Sequence, residues 1–164
     1  MAEALEGWNE FNVAMVGATA ALAGLIIVAM SVNIAEIMKS PALPARAATS
    51  IATLVLAIVA GAFGLIPGQG SFAYGVEVLV ATLIAGIFQV HAISVIMRQT
   101  SNRISYRLLQ SLAGVLPLAA FLTGTVLVVS GAASAGLVAI AFGSVFAVIS
   151  AITIAWVVLV EVLR

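Results

Sequence analysis

Two ionisable residues, Glu77 and His91, lie in one long apolar stretch of the sequence. Ionisable side chains are costly at bilayer depth, so both are candidate functional residues. They are fourteen residues apart, close to four helical turns, and would project from nearly the same face with Ile84 and Phe88 between them. The helical rise separates them by about 21 Å, too far for direct proton transfer. A relay would need water or other helices; alternatively, Glu77 is hydrated near the membrane surface and His91 bonds a neighbouring helix.

Amide side chains are the second set of candidates. Gln89 lies on a different face of the same stretch, and Asn12 and Asn33 lie near the two ends of the first apolar stretch. Amide groups commonly form hydrogen bonds between membrane helices, worth about 1 kcal/mol each. We therefore expect these amides to hold helices together in preference to lining a pore. Asn33 could also cap the carbonyls that end its helix.

The sequence lacks the usual catalytic and metal-binding patterns. It has one histidine and no cysteine, and its carboxylates do not form a His-Glu-x-x-His motif. No Gly-x-Ser-x-Gly motif is present, and no glycine-rich segment has the context of a phosphate-binding loop. We therefore expect no enzymatic activity, no metal and no cofactor. A nucleic-acid partner is not expected either, because the sequence has no basic stripe.

The composition indicates a membrane protein. Hydrophobic residues make up 64% of the 164 residues and charged residues 7%, whereas soluble domains have about 45–50% and about 25%. A membrane-spanning helix needs about 20 predominantly apolar residues. Five stretches reach that length, at residues 12–34, 47–66, 72–97, 108–130 and 135–163. The connections are short, so we predict a single all-α domain, a five-transmembrane-helix bundle without a soluble domain.

The basic residues predict the orientation of this bundle. All six fall on one side of the five-span arrangement, and lysine and arginine accumulate in short cytoplasmic loops. The N-terminus is then outside and Arg164 in the cytoplasm, which requires an odd number of spans. The other five cations are candidate contacts to lipid headgroups or to a partner protein: Lys39, Arg46, Arg98, Arg103 and Arg107.

Aromatic residues agree with this orientation. Trp8 and Tyr74 lie at the predicted outer ends of spans one and three, and Tyr106 and Trp156 lie towards the inner ends of spans four and five. Tryptophan and tyrosine favour the headgroup level of a membrane, so two of them are expected at each interface.

Small residues predict where helices pack, because close van der Waals approach drives helix association in lipid. The fifth stretch carries Ala139, Gly143 and Ala147 at four-residue spacing, and the second carries Gly61 and Gly64. These positions fit packing within one chain, and they also fit the seam of a homo-oligomer.

Pro117 is expected to kink the fourth stretch, because proline cannot donate a backbone hydrogen bond. Kinks can mark cavities or hinges, although proline is also commoner in membrane helices in general. The other half of the chain has no matching interruption, which does not favour an inverted-repeat transporter.

Four motifs occur in the first part of the chain: Ala-Gly-Leu at 23–25, Ser-x-Asn at 31–33, Pro-x-Leu-Pro-x-Arg-Ala at 41–47 and Pro-Gly-Gln at 67–69. In these motifs the chain resembles a family of small actinobacterial polytopic membrane proteins, some of which are described as modulators of a membrane protease. The protease modulators that this description evokes have seven spans. The resemblance is best over residues 1–70; it implies a multi-pass protein of the bacterial plasma membrane and no particular activity.

Three functions are compatible with these features. The first is a non-enzymatic accessory protein that binds, stabilises or modulates a membrane complex. The second is a homo-oligomeric channel, and the third is a proton-coupled carrier that uses Glu77, His91 and the kink at Pro117. The lack of soluble domains and catalytic groups favours the first, with the lipid bilayer and a membrane protein or a second copy as partners.

Overall fold

The computed structural model describes residues 3–39, 42–97 and 104–162, and this part of the chain contains helices and no strand. The helices are α1 (Glu3–Glu6), α2 (Asn9–Val32), α3 (Ile34–Ile37), α4 (Ala42–Gly64), α5 (Ser71–Met97), α6 (Ile104–Val129) and α7 (Ala133–Val162).

Four helices in the described ranges are long and apolar enough to cross a membrane. The qualifying segments are Asn9–Val32 in α2, Leu43–Gly64 in α4, Ser71–Val95 in α5 and Ala133–Trp156 in α7. A shorter apolar segment, Gly114–Val129, lies in α6. These lengths and compositions are consistent with an all-α membrane bundle.

Helices α4, α5, α6 and α7 form a bundle in which each packs on the next and α7 packs back on α4. Helix α2 lies outside this bundle, mainly against α4. Within an 18-residue apolar stretch of α4, 56% of the residues are buried, compared with 17% in the corresponding stretch of α2. Helix α4 is therefore the central helix and α2 a peripheral one.

The centre of the bundle is filled by side chains from all four of its helices. The hydrophobic residues of this central cluster with at most 2% exposure are Leu56, Ala57, Ala60, Tyr74, Val78, Phe121, Val128 and Ala147. Tyr74, expected at the outer end of its span, lies in the first turn of α5, and its ring is buried beside Gly64 of α4. It is a core residue because α5 turns this face towards α4.

The connection between α2 and α4 is more helical than the predicted spans, which end at residue 34 and resume at residue 47, imply. Helix α3 follows α2 directly, and α4 begins at Ala42, so Pro44 lies in its first turn. Proline is compatible with this position because the first turn leaves its backbone N–H groups without helical partners anyway. As a result, Arg46 belongs to α4 and not to a loop.

The two uncharged turns each contain a glycine in the left-handed region. Gly68 follows α4 with φ 72°, and Gly131 lies between α6 and α7 with φ 96°. Residues with a Cβ atom are strained in this region. Gly131 therefore allows α6 to reverse directly into α7.

Candidate functional site

Glu77 lies near the start of α5 and is half-buried. Gln69, in the preceding turn, donates a hydrogen bond from its Nε2 to Glu77 Oε2. The Oε1 atom of Gln69 is buried and has no hydrogen-bond partner within the described residues. The Glu77 carboxylate is thus held by a local contact at one end of the bundle.

His91 is exposed on the surface of α5. Its carbonyl accepts a hydrogen bond of 2.6 Å from Ser94 Oγ. Between Glu77 and His91, Ile84 is 54% exposed and Phe88 51% exposed. The face that these residues share is turned away from the bundle, so no contact among the described residues links Glu77 to His91 through the protein interior.

Gln89 lies on the face of α5 opposite to His91 and is 5% exposed. A Cβ atom on Gly114 of α6 would lie 2.6 Å from both Nε2 and Oε1 of Gln89, so the amide rests on the backbone of α6. Its Oε1 is buried without a hydrogen-bond partner among the described residues. Gly114 is one turn before Pro117, which is buried and through which α6 continues as a helix. Gln89 therefore packs on the segment of α6 that the proline weakens.

Asn12 joins α2 to α4. It is 8% exposed, and a Cβ atom on Gly64 would lie 2.5 Å from its Nδ2 atom. Val16, one turn further along α2, comes equally close to Gly61, where the distance would be 2.6 Å. Gly61 and Gly64 thus make room on α4 for two side chains of α2.

The small residues predicted on α7 are used largely within the chain. A Cβ atom on Gly143 would lie 3.0 Å from the ring of Phe121, and Ala147 has 0% exposure. Ala139 is half-buried. Gly143 and Ala147 are therefore occupied by contacts inside the bundle.

Two glycines outside the predicted packing set bring α6 and α7 together. The Cβ position of Gly124 lies 2.8 Å from the carbonyl oxygen of Gly136, so the helix backbones touch. Both glycines are equally far in sequence from Ser130, in the turn between the helices. Residues at equal distances from the turn of a helical hairpin face each other, and this symmetry is the signal that could have identified them.

Asn33 and Lys39 lie at the other end of α2. Asn33 Nδ2 donates a 2.9 Å hydrogen bond to the Ala29 carbonyl, as expected of a residue that caps a helix. Lys39 Nζ lies 2.6 Å and 2.7 Å from the two carboxylate oxygens of Glu36. Both side chains of this pair are exposed, so it contributes little to stability.

Arg46, a candidate contact to lipid headgroups or a partner, is only 6% exposed. It begins a buried polar face of α4 that continues through Thr49, Ser50 and Thr53. The Thr49 hydroxyl donates to the Ala45 carbonyl, and the Thr53 hydroxyl to the Ser50 carbonyl. Ser50 is 1% exposed, and its Oγ has no hydrogen-bond partner in the described part of the chain.

Three of the predicted cations remain, Arg98, Arg103 and Arg107. Arg98 and Arg103 lie outside the described residues, and Arg107 belongs to α6. Within residues 3–39, 42–97 and 104–162, no group of three or more histidine, aspartate or glutamate residues could hold a metal ion.

One apolar groove, of about 290 Å³, opens on the side of the bundle between α2, the start of α4 and the end of α7. We call it the α2–α7 groove. Its walls include Leu25 and Trp156, which are 68% and 70% exposed. Asn33 and Ser50 are its polar lining residues. It is thus an apolar groove with two polar groups.

A second apolar groove, of about 570 Å³, lies between α4 and α5. We call it the α4–α5 groove. Four of its lining residues are alanines: Ala48, Ala52, Ala81 and Ala85. Larger exposed side chains, among them Phe88, stand beside them. The groove therefore combines a small-residue surface with apolar walls.

The predicted site residues that lie in the described ranges do not converge on one centre. Glu77 and Asn12 lie towards one end of the bundle, whereas Asn33 and Arg46 lie at the other. Comparisons with family models, with curated proteins and with solved structures give no match to this chain. The features that bear on function are therefore the α2–α7 groove, the α4–α5 groove and the filled interior of the bundle.

Proposed function

We propose that this chain is a non-enzymatic integral membrane accessory protein that receives a transmembrane helix of a larger membrane complex. The observation that carries the proposal is the α4–α5 groove, with its alanine surface on the side of the bundle. The protein would lie in a bacterial plasma membrane, and the sequence resemblance favours the plasma membrane of an actinobacterium.

Five spans, with the N-terminus outside and the C-terminus in the cytoplasm, are part of this proposal. Helix α6 has 26 residues, about 39 Å at the helical rise, and the hydrocarbon core is about 30 Å thick. If each long helix crosses the bilayer, Lys39, Arg46 and Arg107 lie on the same side. That distribution of cations favours a cytoplasmic location for this side.

The spacing of the alanines suits a neighbouring helix. Ala48 and Ala52 are four residues apart on α4, as are Ala81 and Ala85 on α5, and residues at this spacing share a helix face. Small residues let another helix come close, and van der Waals packing of this kind drives association in lipid. A partner helix lying in the groove would contact both pairs.

The filled interior favours a surface role over conduction through one chain. Tyr74, Val78 and Phe121 occupy the centre of the bundle with at most 2% exposure. A channel would then have to form between several copies of the chain. A carrier built on Glu77 and His91 is less favoured, because their shared face is turned outwards.

Site-specific photocrosslinking in native membranes tests the proposal. A photoreactive residue replaces either Ala52, which lines the groove, or Leu83, which is 57% exposed on α5 and lies outside the groove lining. We expect position 52 to give a defined adduct with another membrane protein, and position 83 to give lipid adducts only.

Blocking variants test whether that adduct depends on the groove. Ala48→Phe places a ring at an exposed groove position and should abolish the adduct from position 52, whereas Leu83→Phe should leave it unchanged. Adducts only between copies of the chain would favour the homo-oligomeric channel instead. Adducts with lipid alone from position 52 would refute the accessory role.

A further inference from the structure

We infer that the α2–α7 groove binds one acyl chain of a diester phospholipid, and that an ester carbonyl of this lipid accepts a hydrogen bond from the Ser50 hydroxyl. This lipid site is separate from the α4–α5 groove. It does not depend on the proposed accessory role.

The walls of the groove suit a hydrocarbon chain. Leu22 and Ile26 of α2 form one side, and Ile152 and Ala155 of α7 form another. The volume of about 290 Å³ is near the lower end of the range of ligand sites, roughly 300–1,000 Å³. Because the groove opens sideways from a membrane bundle, the surrounding bilayer is its source of ligand.

Ser50 indicates that the ligand also carries a polar group. Ser50 lines the groove, and its Oγ is buried without a hydrogen-bond partner among the described residues. The neighbouring hydroxyls of Thr49 and Thr53, in contrast, donate to carbonyls of their own helix. Burying a hydroxyl without a partner is unfavourable. An acceptor atom on a bound ligand would remove this cost.

The depth of Ser50 favours an ester carbonyl as that acceptor. Ser50 is eight residues after Ala42, where α4 begins, or about 12 Å along the helix. The headgroup region is about 5–8 Å thick on each side of the bilayer. If α4 begins at the outer edge of this region, Ser50 lies about one helical turn inside the hydrocarbon core, and an ester carbonyl at the border is the nearest acceptor of the lipid. Arg46 lies one turn closer to the helix start on the same face, so a cation is near the expected phosphodiester.

Matched ester and ether lipids test the inference directly. The purified chain in detergent is titrated with diester phosphatidylglycerol or with its diether analogue, which lacks the carbonyls, and binding is followed by native mass spectrometry and by the thermal unfolding midpoint. We expect the wild type to bind the diester lipid about two- to tenfold more tightly, as one net hydrogen bond allows. Ser50→Ala should abolish this preference.

Ser150→Ala is the matched control. Ser150 is also buried with a hydroxyl that lacks a hydrogen-bond partner in the described ranges, but it does not line the groove. Both alanine variants should raise the unfolding midpoint without lipid, because each removes a buried unsatisfied hydroxyl. Only Ser50→Ala should change the ester preference.

A second pair of variants tests the acyl-chain part of the site. Ala29→Phe fills the groove at a half-buried lining position, and Ala20→Phe places the same ring at an exposed position of α2 outside the groove lining. We expect only Ala29→Phe to reduce lipid binding. Equal binding of ester and ether lipids by the wild type would overturn the inference, as would an ester preference retained in Ser50→Ala or unchanged binding by Ala29→Phe.

Discussion

A Cβ atom on Gly136 of α7 would lie 2.6 Å from the carbonyl oxygen of Gly124 in α6, and a Cβ atom on Gly124 would lie 2.8 Å from the carbonyl oxygen of Gly136. In each case the Cβ atom would meet the backbone of the other helix, which cannot rotate aside as a side chain can. The two glycines therefore set the separation between the helices on either side of the turn at Gly131.

Gly136→Ala is accordingly expected to destabilise the protein by about 1–3 kcal/mol, the usual cost of forcing extra atoms into a packed interior. The methyl group would meet the backbone of α6 at Gly124 and at Val128, where the nitrogen lies 2.7 Å away. The helices must separate to admit it. The measurement is the free energy of unfolding in detergent, together with the thermal midpoint.

The matched control for this variant is Gly17→Ala in α2. No atom lies within 4 Å of a Cβ built on Gly17, and alanine is the better helix former by about 0.5–1 kcal/mol. Its stability should be unchanged or higher. Wild-type stability in Gly136→Ala would show that α6 and α7 are not in backbone contact here.

Gly64→Ala tests the contact between α4 and Asn12 of α2. The added methyl group would lie 2.5 Å from Asn12 Nδ2, whereas the nearest atom of Tyr74 is at an ordinary 3.5 Å. We expect Gly64→Ala to cost about 1 kcal/mol, a typical value for a point substitution. The same substitution should cost much less in an Asn12→Ala background, because the colliding amide is gone.

A double-mutant cycle of unfolding free energies measures this coupling, and contacting residues typically give about 0.5–3 kcal/mol. Strict additivity of the two substitutions would contradict the contact. Gly86→Ala on α5 is a suitable control, since its nearest atom, in Leu118, is at 3.6 Å; its effect should not depend on Asn12.

Helix positions could be predicted closely from the sequence, because a spanning helix requires a long uninterrupted apolar run. The predicted stretch 72–97 and the observed helix Ser71–Met97 differ by one residue at the start. The rotation of each helix about its axis could not be predicted in this way. In lipid, the outward face is as apolar as the packed face, so hydrophobic periodicity does not distinguish them.

Particular residues show the consequence of this ambiguity. Gln89 and His91 are two positions apart on α5, yet Gln89 is buried against α6 and His91 is exposed. Arg46 was expected in a surface connection, but it lies inside α4 and is only 6% exposed. The unpartnered hydroxyl of Ser50 also depends on helix rotation and on the position of α7. No local sequence pattern specifies the rotation of α4 or the position of α7.

Substitutions of Glu77 and His91 test whether the chain moves protons. Glu77→Gln keeps a side-chain oxygen that can accept from Gln69 Nε2, the contact seen for the carboxylate, and His91→Leu places an apolar group on an exposed apolar face. We expect both variants to retain the wild-type unfolding midpoint, and proton flux into liposomes, followed with an enclosed pH-sensitive dye, to stay at the wild-type level. Protein-free liposomes give the background leak. A tenfold loss of flux in either variant, at unchanged stability, would instead support the proton-coupled carrier, since an ionisable group removed from a proton path cannot be replaced by an amide or an alkyl chain.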